Sequence, residues 1–372
     1  MPDTAPTGRV AALESLRLAL FGLWRLGSNA LVGWTQSKNG IELLTLPKVR
    51  LFNLAAPHRR VFTADRHMGH QTFQEVAELI NVQPIELRLA VPVGDDPDDI
   101  SPAEIEGAVA PFVVTRVEQH AVLLVDIVGF SLLKSEQQAS QLATLEFSLN
   151  LAAELVSKHA PGLTVLRSTT GDGFYVWNAE KGLDADINLF VILVAFLTYH
   201  ATLRQTMTVP LAVPSLRVCI GIGSHFIYHQ PTRDGRDTGQ FIVGDVTIDL
   251  ARLIGAAAPG QVVVNAFERL DDVTGRRIDV HDFVDRVSAA SQWMVGLTLP
   301  GGRIERFTLY LTGQRGGGSQ FGDLKMMVTD KHGLAHKFYN LKLNIFTDRG
   351  EPIFCGLRQA DLTDVHPVPP GG

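Results

Sequence analysis

Two aspartates stand where a chain could hold a divalent cation beside a polyphosphate. Asp126 closes an apolar run in VDIVGFS (125–131), and Gly129 allows a tight turn before a helix begins. A carboxylate there, next to the free main-chain N–H groups of Gly129, Phe130 and Ser131, suits a metal ion and a phosphate side by side. Asp172 lies in STTGDGFYVW (168–177), where Gly-Asp-Gly reads as the turn of a β-hairpin with a carboxylate at its tip. Each acid alone has a plain reading, since strand-end acids occur in many folds and Asp is a good turn residue. Together they are the pair that two-metal phosphoryl transfer needs.

The elements that must position this pair follow from periodicity. Residues 121–125 read as a buried strand ending in Asp126, and 135–159 as a long helix. Strands follow at 163–166 and 173–177, a helix over 184–206, a strand at 215–222, a helix around 246–257 and a strand at 261–265. Such alternation predicts an α+β sandwich with a β-sheet covered by helices. Upstream, 1–40 reads as helix and 41–110 as mixed, with strands at 41–46 and 85–93. The acidic, Pro-containing GDDPDDISP (94–102) is the best linker candidate. A Gly-rich joint, GQRGGGSQFG (313–322), leads into a β-rich tail. The predicted division is an N-terminal extension over 1–111, a main domain over 112–312 and a small C-terminal β-rich domain over 313–372.

Composition excludes several classes. The 372 residues are 45% hydrophobic and 19% charged, enough to build a core and too apolar for a largely disordered chain. A net charge of -6 argues against a nucleic-acid partner, which would need a basic face. Cys219 and Cys355 both sit in apolar strand-like runs, which predicts buried free thiols and fits a cytoplasmic protein. The start MPDTAPTGRV shows no signal-peptide pattern. The apolar run at 187–198 is about 12 residues long, short for a membrane span. Residues 10–34 carry Glu14, Arg17 and Arg25 and read as an amphipathic packing or dimer helix, so membrane contact is not expected.

The two acid motifs, followed by LRVCIGIGSH (216–225) and VGDVTIDLARLIGAAAPGQVVVN (243–265), resemble the class III adenylyl and guanylyl cyclases in order and spacing. The resemblance implies that Asp126, Asp172 and the carbonyl of Ile127 hold two Mg²⁺ or Mn²⁺ ions. It implies a nucleoside triphosphate substrate, a cyclic nucleotide product and a homodimer, with Arg252 stabilising transition-state charge from the partner subunit. Counted along the motifs, the family's ribose-orienting Asn falls on Ile248, beside Asp249. Its charged purine readers fall on Ser168 and Phe241, which could suit a pyrimidine. The late triphosphate-binding Lys has no counterpart unless Arg303 or Arg306 serves. The segment TDKHGLAHKFYNLKLNIF (329–346) resembles the C-terminal sensor-like domain of bacterial antiphage cyclases that make cyclic CMP or cyclic UMP. It is equally an ordinary β-hairpin whose His332 and His336 cap turns. His58, His67 and His70 could form a metal site, against the plainer reading of a solvated loop. The acids and Arg252 thus favour an active cyclase, while Ile248 and the missing Lys favour a silent nucleotide-binding or dimerisation module.

Overall fold

The computed structural model describes residues 8–53, 60–62, 65–209, 212–234, 237–315, 321–362 and 366–367. The chain forms two compact units, Met1–Glu118 with Phe226–Val243, and Gln119–His225 with Gly244–Gly372.

The first unit runs α1 (Gly8–Trp24), β1 (Asn29–Ser37), β2 (Gly40–Pro47), α2 (His70–Ile80), β3 (Ile85–Arg88) and α3 (Pro102–Val109). The helix expected over 1–40 stops at Trp24, because Leu26 and Gly27 take left-handed backbone angles and 29–37 pairs with β2 instead. Leu16, Leu20, Trp34, Ile41 and Phe112 fill a core that also buries Ile100. The expected linker at 94–102 is therefore a packed loop. It ends in a capping box in which the Ser101 hydroxyl accepts from the Glu104 amide and Glu104 reaches back to the Ser101 amide, fixing the start of α3. The strand expected at 85–93 ends at Arg88.

The second unit is the α+β architecture the sequence predicts. Its elements are β4 (Thr115–Ile127, entering from the first unit), α4 (Ser135–Ser157), β5 (Val165–Thr169), β6 (Gly173–Asn178), α5 (Leu183–Thr206) and β7 (Leu216–Pro231). After β8 (Asp237–Val243), which pairs with the outer part of β7 in the first unit, come α6 (Asp245–Ala256) and β9 (Val262–Asn265). A small hairpin, β10 (Glu268–Leu270) and β11 (Arg277–Asp279), leads to α7 (Val280–Ala290), β12 (Thr298–Leu299) and β13 (Gly302–Leu311). The chain closes with β14 (Gly313–Arg315), β15 (Phe321–Asp323), β16 (Met326–Thr329), β17 (Ala335–Thr347), β18 (Ile353–Cys355) and β19 (His366–Pro367).

The sheet order is β12-β13-β17-β9-β7-β4-β6-β5. Alternation along each strand sends Leu123, Val125, Val218, Ile220, Val264 and Leu341 to one face, in a core shared with α4, α5 and α7. The other face carries Asp126, Tyr175, Arg217, Cys219 and Asn265. Here α6 packs, with the Tyr175 hydroxyl donating to the Thr247 carbonyl at 3.0 Å. The helix α5 is the one described helix long and apolar enough to cross a bilayer, and 72% of its apolar window is buried inside the protein. It is a core helix, as its run of buried residues from Leu189 to Thr198 shows.

The C-terminal segment differs from expectation. It does not form a unit of its own, because β17 lies between β9 and β13 within the large sheet. Its alternating Tyr339, Leu341, Leu343 and Ile345 belong to the same core as the strands before them. The middle of the joint, 316–320, lies outside the described residues.

Candidate active site

The two acids meet because β4 and β6 are neighbours in register. Asp126 opposes Gly173, and the Ile127 amide donates to the Asp172 carbonyl at 3.0 Å. A Cβ at Gly173 would sit 1.9 Å from the Val125 carbonyl oxygen, so only glycine lets the strands close at this point. Beyond Ile127 the chain turns through Gly129 at φ 72°, a left-handed angle, into the short turn Phe130–Leu132. The amides of Gly129, Phe130 and Ser131 make no hydrogen bond among the described residues. The partly buried Phe130 ring packs on the core, and its carbonyl accepts from Gln138 at 3.1 Å. Ser131 is exposed.

Asp126 is buried and Asp172 partly so, with the Thr170 hydroxyl donating to Asp172 at 3.2 Å. Arg217 of β7, to which no sequence motif assigns a role, donates from Nε and Nη2 to Asp126 Oδ2 at 2.8 and 2.5 Å. Burial raises the Asp126 carboxyl above its ordinary range, Arg217 pulls it back, and the nearby Asp172 charge raises it again. Carboxylate and main-chain oxygens are the hard donors that Mg²⁺ and Mn²⁺ prefer, so the pair fits such a cation through Asp172 and the Oδ1 edge of Asp126. No group of three or more His, Cys, Asp or Glu side chains suited to a metal occurs among the described residues.

On α6, Ile248 points outward at 53% exposure. Its neighbour Asp249 turns inward, accepting from Asn265 Nδ2 at 3.0 Å and lying 2.7 Å from His336 Nδ1. Arg252 Nε lies 3.4 Å from Asp330 Oδ2, and His336 Nε2 lies 3.6 Å from the same oxygen. The loop between β16 and β17 is thus tied to α6 by charge. His336 is part of that tie and not a turn cap, whereas the His332 amide does donate to Asp330 Oδ1 within the turn. Backbone donors and His336 keep the Asp330 carboxyl below its ordinary range although burial opposes them.

Ser168 lies on β5 opposite Tyr175 in the second unit. Phe241 lies on β8 in the first unit, stacked on Tyr228 with ring centroids 5.4 Å apart. The histidine cluster does not form among the described residues. His67 stacks on Trp34 at 4.1 Å, His70 opens α2, and His58 lies outside the described residues. Arg217 had one signal in the sequence. It is a charge at an inward position of the otherwise apolar LRVCIGIG strand.

The fold and site define an α+β domain that carries an acid pair on adjacent strand ends. No protein-family model matches the chain, and a search of curated proteins returns no match. Similar solved structures are adenylyl and guanylyl cyclases. The guanylyl cyclase Cya2 is 13% identical, covering 61% of this chain and 92% of its own, with a TM-score of 0.35. The adenylyl cyclase CyaB from P. aeruginosa is 16% identical, covering 63% and 97%, with a TM-score of 0.35. The guanylate cyclase domain of RhGC from Catenaria anguillulae, in complex with GTP, is 12% identical, covering 61% and 97%, with a TM-score of 0.38.

Proposed function

We propose that the second unit is a nucleotide cyclase, converting a nucleoside triphosphate to a 3′,5′-cyclic monophosphate and pyrophosphate. The observation that carries this reading is the juxtaposition of Asp126 and Asp172 through the β4–β6 register at Gly173. Asp126, Asp172 and the Ile127 carbonyl would hold Mg²⁺ or Mn²⁺. Bound there, the metal supplies activation of the ribose 3′-hydroxyl and neutralises triphosphate charge. The amides at Gly129, Phe130 and Ser131 receive phosphate oxygens. As the 3′-oxygen bonds to the α-phosphorus, the bond to pyrophosphate breaks and no covalent enzyme intermediate forms. Arg252 stabilises the developing charge from a second copy of the chain, which makes the working form a homodimer.

For the base we propose a pyrimidine. Neither Ser168 nor Phe241, the residues at the counted positions, carries the charged edge by which purine cyclases read their base. A purine whose buried polar edge finds no such partner loses about 1–3 kcal/mol, which disfavours purines where the charged readers are missing. A role in antiphage signalling rests on the likeness of 329–346 alone. Competition among ATP, GTP, CTP and UTP in Mn²⁺, with products read by mass spectrometry, tests the base. Cyclic UMP or cyclic CMP in excess supports a pyrimidine, and cyclic AMP or cyclic GMP in excess refutes it.

A second reading, a silent nucleotide-binding module, is favoured by the Arg252–Asp330 ion pair and by outward-facing Ile248. Under it, nucleotide binds without turnover.

A further inference from the structure

Away from the acid pair, the second unit holds a cavity of about 420 Å³. Its walls are the last turns of α5, the starts of β7 and β9, and the chain from β18 to Leu357. Leu197, Leu216, Val218, Val262 and Ile353 make most of the lining apolar. Arg217, between Leu216 and Val218 on β7, points to the opposite face of the sheet with Asp126, so the cavity is separate from the acid pair.

Two polar groups on the lining lack partners. Gln261 is 2% exposed, and its Oε1 accepts from the Ala258 amide at 2.9 Å. That bond fixes the side-chain amide and leaves Nε2 a buried donor with no hydrogen bond among the described residues. A buried N–H in that state costs free energy that a ligand oxygen removes. Arg204, exposed on the last turn of α5, is the one charged side chain on the lining among the described residues. It makes no ion pair or hydrogen bond among them. The other polar side chains deep in the wall are neutral. His200 has Nδ1 3.2 Å from Ser148 Oγ and Nε2 2.9 Å from the Pro214 carbonyl, and burial pushes the Cys355 thiol up to about 12.

We infer that this cavity binds a monocarboxylate with an apolar body, its carboxylate on Arg204, its chain against α5 and β18, and Gln261 Nε2 as the second donor. A guanidinium with no acid beside it selects an anion, and its planar fork fits a carboxylate edge. One cation matches a single negative charge, whereas a phosphate monoester brings about 1.5–2. Apolar walls, a few fixed polar groups and this volume are the usual make-up of a small-molecule site.

The test is isothermal titration calorimetry of the full chain with octanoate, and with octan-1-ol as the uncharged chain of equal length, which reads binding without turnover. Wild type should bind one octanoate per chain, at least about tenfold more tightly than octanol. Arg204→Gln, at an exposed position, should erase that preference, and Gln261→Leu should reduce it. Ala201→Phe, which fills the cavity, should abolish binding of both; if that variant does not fold, Arg204→Gln decides alone. No saturable octanoate binding, or equal affinity for the acid and the alcohol, would overturn the inference. So would a preference unchanged in folded Arg204→Gln or Gln261→Leu, or wild-type binding in a folded Ala201→Phe.

Discussion

Replacing Asp126 by asparagine separates the chemistry of the site from its contribution to stability. The variant keeps the shape of the side chain and removes its charge, leaving Arg217 beside a neutral amide. Breaking a fully buried ion pair from one side costs about 3–5 kcal/mol, because the surviving charge is stranded. Arg217 is 29% exposed and can rehydrate, so the loss here is discounted to about 1–2 kcal/mol. Against it stands a gain, since burial already penalises the ionised Asp126 and pushes its carboxyl upward. The net change is within about 1 kcal/mol, which moves the melting temperature of a unit this size by about 2–4 °C. Turnover should fall far more. Losing even an outer partner of a metal ligand costs about 10–100-fold in metal affinity or activity, so losing a direct ligand should cost at least about 100-fold. Pyrophosphate release and thermal melting on the same samples report the two effects. Near-normal turnover with an unchanged melting curve would refute the placement of the cation at Asp126. A collapse in melting temperature with activity lost in proportion would show that Asp126 is structural.

Further outcomes follow from the rest of the second unit. Arg269, 3% exposed, joins Asp186, 0% exposed, at 2.7 Å, so Arg269→Met should destabilise the unit by about 3–5 kcal/mol in a urea melt. A loss below about 1 kcal/mol would show that the pair is dispensable. Burial holds His120 down to about 4 and His225 down to about 3, so in this range the unfolded chain binds more protons and stability should rise with pH up to about 6.5. Burial also lifts Asp186 to about 6, and its linkage runs the other way, with stability falling as pH rises from about 4 to 6. Two histidines outweigh one aspartate. Urea midpoints should therefore climb between pH 4.5 and 7, and His225→Phe should flatten that climb; a flat wild-type profile would contradict the burial assigned to the pair. Mixing Asp126→Ala with Arg252→Ala should restore part of the activity if Arg252 serves the partner's site, and no rescue in verified heterodimers would place Arg252 in structure alone.

The sequence showed most of what positions the site. VDIVGFS and TGDGF are local signals, with a strand end, a glycine turn and a hairpin each encoded within a few residues, and the structure brings their acids together. Alternation in LRVCIGIG and the apolar run of α5 marked the central strand and the core helix. Pairings between distant segments were not legible. The placement of β17 beside β9 depends on which strand edge is left open, which no local pattern records. Arg217 on Asp126 and Asp330 on Arg252 are contacts of the same kind, between residues far apart in sequence. The helix expected over 1–40 failed for a local reason, because the break at Leu26 and Gly27 was outweighed by the apolar spacing on either side.

An acid pair that turns over a nucleoside triphosphate by intramolecular attack releases cyclic nucleotide and pyrophosphate together. Purified wild-type protein in Mn²⁺, given each of the four triphosphates in turn, tests it most directly when cyclic nucleotide and pyrophosphate are quantified together. Equal amounts of the two are expected from at least one triphosphate, and none from Asp172→Asn. Nucleotide binding by wild type with no cyclic product from any of the four would contradict it.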